Sequence, residues 1–194
     1  MIIEGLCTTL NPDESVNIAP MGPVVNEELT SFLFRPFQSS TTFQNLKKTG
    51  QGVFHVTDEV DMIAKTAIGQ LETQPELLAA KEIQGKVIAT ACRWYEFEVV
   101  SIDDSQQRTE ITTELKHVGH LRDYWGQNRA RNAILEAAIL ATRLHILDTK
   151  GVNKQIASLK IIVEKTANEK DAETFSIIER YISDTIASIK ANSS

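Results

Sequence analysis

The sequence predicts an α+β, mainly β fold: an antiparallel six- or seven-stranded barrel, followed by a C-terminal helical subdomain. Two observations carry this. Over the first 120 or so residues, apolar positions recur with a period of two between Pro-, Gly- and Asp-rich turns; afterwards the period becomes 3.6. The chain has 194 residues and is 42% hydrophobic, enough for a small barrel with a helical appendix and too apolar for wholesale disorder. The domain expectation is therefore 1–122 for the barrel and 123–194 for the helices.

Met1 to Leu10 is an apolar, Thr-containing strand, and Asn11-Pro12-Asp13-Glu14-Ser15 a turn by composition. Val16 to Val25 resumes an extended pattern, with Pro20 and Pro23 barring a helix. Leu29 to Phe34 is a third short strand. Thr41 or Thr42 is the expected N-cap of a helix that carries Phe43 and Leu46 and ends at Gly50. Gly52 to Thr57 is the fourth strand, and Asp58 to Thr66 a short helix. Residues 67–85 read as loop with a helical turn. Lys86 to Ile102 reads as one long strand, and Asp103 to Gln106 as the hairpin turn after it.

Arg108 to Gly119 alternates cleanly. Ile111, Thr113, Leu115 and His117 fall on one face, and Arg108, Glu110, Thr112, Glu114 and Lys116 on the other, as in a half-exposed antiparallel strand. Asn128 to Leu147 reads as one long helix, apolar nearly all round from Ala133 to Ala141 and so buried among several neighbours. Asp148 to Gly151 breaks it. Asn153–Thr166 and Asp171–Lys190 are two amphipathic helices, the last with a core stripe of Phe175, Ile178, Ile182, Ile186 and Ile189.

A net charge of −6 argues against a general nucleic-acid binder, which needs a basic face for phosphates. Two cysteines, Cys7 and Cys92, build neither a disulfide framework nor a four-cysteine zinc site, and both read as small buried hydrophobes. The N-terminus lacks the pattern of a signal peptide, and no apolar run is long enough to span a membrane. The expected location is the cytoplasm, with neither nucleic acid nor membrane as partner.

Neither G-x-x-x-x-G-K-[ST], G-x-G-x-x-G nor G-x-S-x-G occurs, and the four histidines lack metal-ligand spacing, so no metal is expected. Catalytic residues are not identifiable. Any chemistry falls to a bound organic cofactor.

Two stretches stand out. Val16 to Pro23 combines small residues with two prolines, so a flat ligand can approach its backbone, though taken alone the stretch is better explained as a proline-protected edge strand. Arg35 to Asn45 (RPFQSSTTFQN) assembles a guanidinium, four consecutive hydroxyls and a helix N-terminus, a combination suited to a phosphate monoester. One hydroxyl suffices for a cap; four exceed that need.

With the motifs Asn17-Ile18-Ala19-Pro20-Met21-Gly22, Phe34-Arg35-Pro36-Phe37, Thr42-Phe43-Gln44-Asn45-Leu46 and Gly126-Gln127-Asn128-Arg129-Ala130, the chain resembles the flavin reductase-like, FMN-binding split-barrel superfamily, and within it the DUF447 family. The resemblance implies a split barrel, FMN as cofactor, and a homodimer with FMN at or near the subunit interface. It places Asn17, Ala19, Pro20, Met21 and Gly22 beside the isoalloxazine ring. It places Arg35, Ser39, Ser40, Thr41 and Thr42 on the phosphate, with Asn45 supporting that loop. The function it implies is an FMN-dependent oxidoreductase with a small-molecule redox substrate or electron donor, a pterin-like or deazaflavin compound being one alternative. A non-catalytic flavin-binding or storage module is the other, and a dimer whose barrel has lost its flavin a third. No nicotinamide-binding signature is evident.

Asn128 and Arg129 stand at a helix start and are candidates for ligand contact. Arg129, Glu136 and Arg143, seven apart, share one stripe of that helix, and Glu136 with Arg143 reads as a buried structural network. Trp94, Tyr95, Tyr124 and Trp125 read as core or interface aromatics, with Trp125 and Trp94 first for stacking on a flavin ring. His55 reads as a satisfied strand histidine.

Overall fold

The structure, a computed structural model, describes residues 1–192. By its contacts the chain forms two compact units, 1–58 with 73–124, and 59–72 with 125 onward. The helix in residues 59–72 thus belongs with the C-terminal helices, although it interrupts the barrel in sequence.

The first unit is an antiparallel seven-stranded sheet. In chain order its strands are β1 (Gly5–Leu10), β2 (Val16–Met21), β3 (Val24–Val25), β4 (Ser31–Phe34), β5 (Gln51–Val56), β8 (Arg93–Asp103) and β9 (Glu110–His120), with helix α1 (Thr41–Thr49) between β4 and β5. The spatial order is β2-β1-β5-β8-β9-β4-β3, so β2 and β3 lie at opposite ends of the sheet. Yet only Gly22 and Pro23 separate them in sequence, which obliges the sheet to curl round. Residues 1–3 fasten the closure: Ile2 bridges Val24, and Val25 N donates to Met1 O at 2.8 Å.

Inward-facing side chains of this curled sheet form the barrel core. Phe32, Phe34, Phe54, Tyr95 and Phe97 pack with ring centroids 4.8–6.2 Å apart, and Phe43 and Leu46 of α1 join them. Gly50 closes α1 at φ 69°, the left-handed conformation that glycine adopts without strain. The helix is capped by Ser40 rather than by Thr41 or Thr42: Ser40 Oγ accepts from Phe43 N at 3.2 Å. The reason lies in backbone geometry, since the cap must be extended and Ser40 is the last extended residue (φ −77°, ψ 144°).

Residues 77–88 hold a two-stranded hairpin, β6 (Leu77–Ala79) and β7 (Lys86–Ile88), where the sequence suggested a loop with a helical turn. The hairpin takes its support from β8. Glu96, fully buried, accepts from Lys81 N at 2.8 Å, Glu82 N at 2.7 Å and Trp94 Nε1 at 2.9 Å. Val53, Ile83, Val87 and Trp94 make a small second core beneath it. The apolar run expected as one strand from Lys86 to Ile102 is thereby two strands, turning after Ile88, where Ala91 N donates to Ile88 O.

Burial along β9 alternates from Glu110 to Leu115, as the sequence predicts. The register then slips: Leu115 opposes Phe97 but His117 opposes Glu96, leaving Lys116 as the extra residue of a bulge. The bulge moves His117 off the face it was expected to share with Leu115. Its ring lies 5.7 Å from that of Trp94 instead. Gly119 faces Trp94 directly, and a Cβ there would fall 2.0 Å from the indole.

The second unit contains α2 (Val60–Ala67), α3 (Arg129–Ala141), α4 (Thr149–Thr166) and α5 (Glu169–Asn192). Ala130, Ala133, Ile134, Ala137 and Ala138 of α3 are buried against Val60 and Ala64 of α2 and the α5 stripe. Phe175, Ile178, Ile182 and Ile186 are core residues, while Ile189 is 36% exposed. Helix α3 ends at Ala141, six residues before the expected Leu147. There Thr142 Oγ1 bonds back to Ile139 O and residues 142–147 wind into turns. Asp148 caps the next helix, its Oδ2 accepting from Gly151 N at 2.8 Å. Glu136 and Arg143 are exposed, so they form no buried network. Glu136 lies on α3, whereas Arg143 lies in the turns beyond its end. In this unit the half-buried Arg131 pairs with Asp171 at 3.4 Å, Asp171 being only 4% exposed.

Among the described residues, no helix is long and apolar enough to cross a membrane.

Candidate functional site

Strand β2 is an edge strand hydrogen-bonded to β1 alone. Opposite Leu6, Cys7 and Thr9 it sets Pro20, Ala19 and Asn17. All six of its residues are half-buried, which is unusual for an edge where one face should meet water. Its outer edge pairs with no strand, which leaves it open to a flat ligand. Gly22 follows, half-buried; a Cβ there would lie 2.8 Å from the Glu4 carboxylate oxygens.

The N-terminus of α1 is the second half of the site. Ser39 and Thr41 are exposed, Ser40 is half-buried and serves as cap, and Thr42 is buried. The first turn of α1 carries no acidic residue, while its last turn holds Lys47 and Lys48. The positive end of the helix dipole thus has no carboxylate of its own to neutralise it. Arg35 leads into this turn at the end of β4. Its guanidinium is 42% exposed and lies 3.4 Å from Glu110, an exposed pairing of small energy that an anion can replace. A second guanidinium, Arg108, donates from Nε to Arg35 O at 3.3 Å and sits over the exposed Phe37 ring. Sequence distance hid it. Arg108 arrives from the β8–β9 hairpin, through the Phe37–Arg108 bridge.

A buried set of amides and hydroxyls joins the two halves. Asn17 Nδ2 donates to Thr42 Oγ1 and to Thr9 Oγ1, both at 3.1 Å. Asn45 Nδ2 donates to Thr9 Oγ1 at 3.0 Å and to Asn11 Oδ1 at 2.8 Å. Both NH₂ groups therefore have all their hydrogens engaged. Asn45 thus ties α1 to Thr9 of β1 and to Asn11 just after that strand. Thr9 and Asn11 escaped the sequence reading, because a threonine in a strand and an asparagine in a turn have ordinary structural explanations.

The remaining candidates lie elsewhere. Asn128, in the helical unit, caps α3: its Oδ1 accepts from Ala130 N and Arg131 N, and its Nδ2 donates to Thr166 O. Arg129 is the first residue of α3 and is exposed. Trp125 is 85% exposed, whereas Trp94 is 7% exposed and anchored by Glu96.

His55, Cys7 and Glu96 are buried titratable groups of the barrel. His55 Nε2 accepts from Ile88 N at 3.0 Å, which makes Nδ1 the protonated nitrogen, and Nδ1 meets Leu6 O at 3.1 Å. Burial pushes its pKa down to about 4, against the opposing effect of the Leu6 carbonyl. Burial likewise pushes the Cys7 thiol up to about 12, leaving it unreactive. For Glu96, burial raises the pKa, but the Lys81 and Glu82 N–H groups, the Trp94 indole and the nearby His117 together hold the carboxyl below its ordinary value.

Residues 3–122 match the family model described as "Protein of unknown function (DUF447) N-terminal domain", and residues 128–180 match "Protein of unknown function (DUF447)". The chain belongs to the DUF447 family. No curated protein matches it. Among solved structures it resembles an FMN-bound DUF447 protein from Methanosarcina mazei, at 21% identity and a TM-score of 0.78, over 93% of this chain and 94% of that one. It also resembles an FMN-binding protein from Thermus thermophilus at 12% identity, over 61% of this chain and 71% of that chain, with a TM-score of 0.52. Flavoredoxin from Methanosarcina acetivorans is similar at 15% identity, over 61% and 68%, again with a TM-score of 0.52. At these identities the likeness establishes the fold. The first similarity extends through the helical unit, whereas the others cover a share close to that of the barrel.

Proposed function

We propose that this DUF447 protein binds FMN and works as a flavin-dependent oxidoreductase. The observation that carries the reading is the Asn17–Thr42 hydrogen bond, which joins the edge strand β2 to an anion-ready helix start. A flavin mononucleotide needs those two surfaces together, one for a flat ring and one for a phosphate. The FMN-bound M. mazei relative supports the same reading through its shared fold.

The residues present fit the cofactor. Backbone N–H groups at the start of α1, the hydroxyls of Ser39, Ser40, Thr41 and Thr42, and the Arg35 guanidinium would hold the phosphate. Asn17, Ala19, Pro20, Met21 and Gly22 would flank the ring, and Asn45 supports the turn. When bound, FMN supplies hydride or electron transfer. The chain's own part is to bind the dianion, to keep the ring against β2, and to offer backbone donors where negative charge develops. Buried free cysteines are consistent with a reducing cytoplasm as the location. A homodimer that completes the site at the β2 edge belongs to the same proposal.

FMN titration, followed by flavin fluorescence, tests the phosphate assignment. Arg35→Ala loses a charge-assisted hydrogen bond of about 1.5–3 kcal/mol, or roughly 10- to 150-fold in affinity. An unchanged titration curve sinks the assignment.

One observation favours a second reading, a non-catalytic flavin-binding or storage module. His55 and Glu96, two of the barrel's buried acid–base groups, have their polar atoms engaged by backbone and, for Glu96, by Trp94. Anaerobic reduced protein mixed with quinone, pterin or deazaflavin acceptors separates the two. An enzyme reoxidises its flavin faster with one of them, and a storage module does not.

A further inference from the structure

We infer that Thr9, a residue with no expected contact to the ligand, is a positioning residue that sets the phosphate-binding turn in register with the edge strand. The inference rests on the FMN reading above. Thr9 is 3% exposed and lies in β1, directly opposite Asn17 of β2. Its single oxygen accepts from Asn17 at 3.1 Å and from Asn45 at 3.0 Å. Asn45 is in the second turn of α1, and Asn17 donates its other hydrogen to Thr42 in the first turn. Helix α1 is thus tied to the β1–β2 hairpin at two points, and both ties pass through residues bound to Thr9.

The chemistry of the network gives this a direction. Because Asn17 presents Nδ2 to Thr42 Oγ1, the Thr42 hydroxyl acts as acceptor there and keeps its own hydrogen for a different partner. Removing the Thr9 oxygen leaves two buried amide hydrogens without an acceptor, and both amides must then reorient. Reorientation of Asn17 alters the bond to Thr42, and reorientation of Asn45 alters the seat of α1. Each displaces the anion-binding turn. Neither touches Ala19, Pro20 or Met21, the rest of the β2 surface offered to a ring.

The phosphate end of the ligand, served by both ties, should therefore suffer more than the ring end, where Asn17 alone is affected. Titrations of the full chain with FMN and with riboflavin, which lacks the phosphate, read the two ends separately. Wild type should prefer FMN. Thr9→Val, which keeps the shape but not the oxygen, should cut the FMN-over-riboflavin preference about tenfold, the equivalent of one well-placed hydrogen bond. Thr9→Ser should restore it. If Thr9→Val folds poorly by its melting curve, Asn11→Ala makes the same test from the half-buried end of the network, with a loss of about threefold in the preference. Equal weakening toward both flavins, or an unchanged preference, overturns the positioning role while leaving the FMN reading intact. A wild-type protein that binds neither flavin, or both alike, overturns the FMN reading and this inference with it.

Discussion

At the scale of single residues, His55 shows how a histidine in a strand becomes part of the frame. It receives the Ile88 N–H and donates to the Leu6 carbonyl, so it ties β5 to β1 and to the β6–β7 hairpin only while neutral. Its folded pKa is pushed down to about 4, whereas the unfolded chain protonates it near the ordinary value of about 6.5. Between those values the unfolded state binds more protons than the folded state, so stability rises with pH. The contribution is complete above about pH 6.5 and disappears as pH falls toward 4. Urea unfolding at pH 7.5 and pH 5.0 should differ by about 2 kcal/mol from this residue. His55→Gln should flatten that dependence, and an equally steep profile in the variant shows that another group is responsible. The sequence led to a satisfied histidine here because HVT within an apolar strand leaves few other roles. It gave no warning that Glu96 or Thr9 would be buried, because buried polar groups are recognised by partners that lie far along the chain.

Elements were legible where periodicity is long and turn chemistry strong. The Asn11–Ser15 turn, the α1 helix up to Gly50, β9 as far as Leu115 and the α5 stripe all follow from local residues. Elements that depend on a distant partner were not. β6 and β7 hold only three residues each, too short for any period, and they exist because Glu96 gathers the backbone between them. The bulge at Lys116 arises from pairing with β8, so alternation alone carried His117 onto the wrong face. Glu96→Ala tests the hairpin directly. Three donors lose their acceptor in a buried place, at a cost of about 3 kcal/mol or more. The loss should be local first: hydrogen exchange at residues 77–88 should accelerate well before exchange in β5 or β8. Uniform acceleration across the barrel contradicts the view that Glu96 serves chiefly to hold this hairpin.

For the whole molecule, the interleaving of the two units matters more than the number of elements. Residues 59–72 leave the barrel after β5, contribute α2 to the helical core, and return before β6. The change of period near residue 120 made the helical C-terminus legible, and it concealed this excursion, since a short amphipathic helix between strands looks the same whichever core it joins. Buried residues sort without overlap. Val60, Ala64 and Ile68 are grouped with α3, α4 and α5, while Phe32, Phe54 and Phe97 are grouped within the barrel. Two cores without shared members can unfold separately. Ile182→Ala removes a core side chain of α5 that is 3% exposed, at a cost of about 2–5 kcal/mol to the helical unit. Melting followed at 222 nm, where helices dominate, should then shift to lower temperature, while near-ultraviolet signals from the barrel's Tyr95 and Trp94 should hold. FMN in hundredfold excess over its dissociation constant should raise the barrel transition by about 2.7 kcal/mol through mass action and move the helical transition less. If both signals fall together in the variant and rise together with FMN, the excursion of α2 fuses the two cores into one cooperative unit. Coupling of that kind would make the helical core part of the barrel's stability.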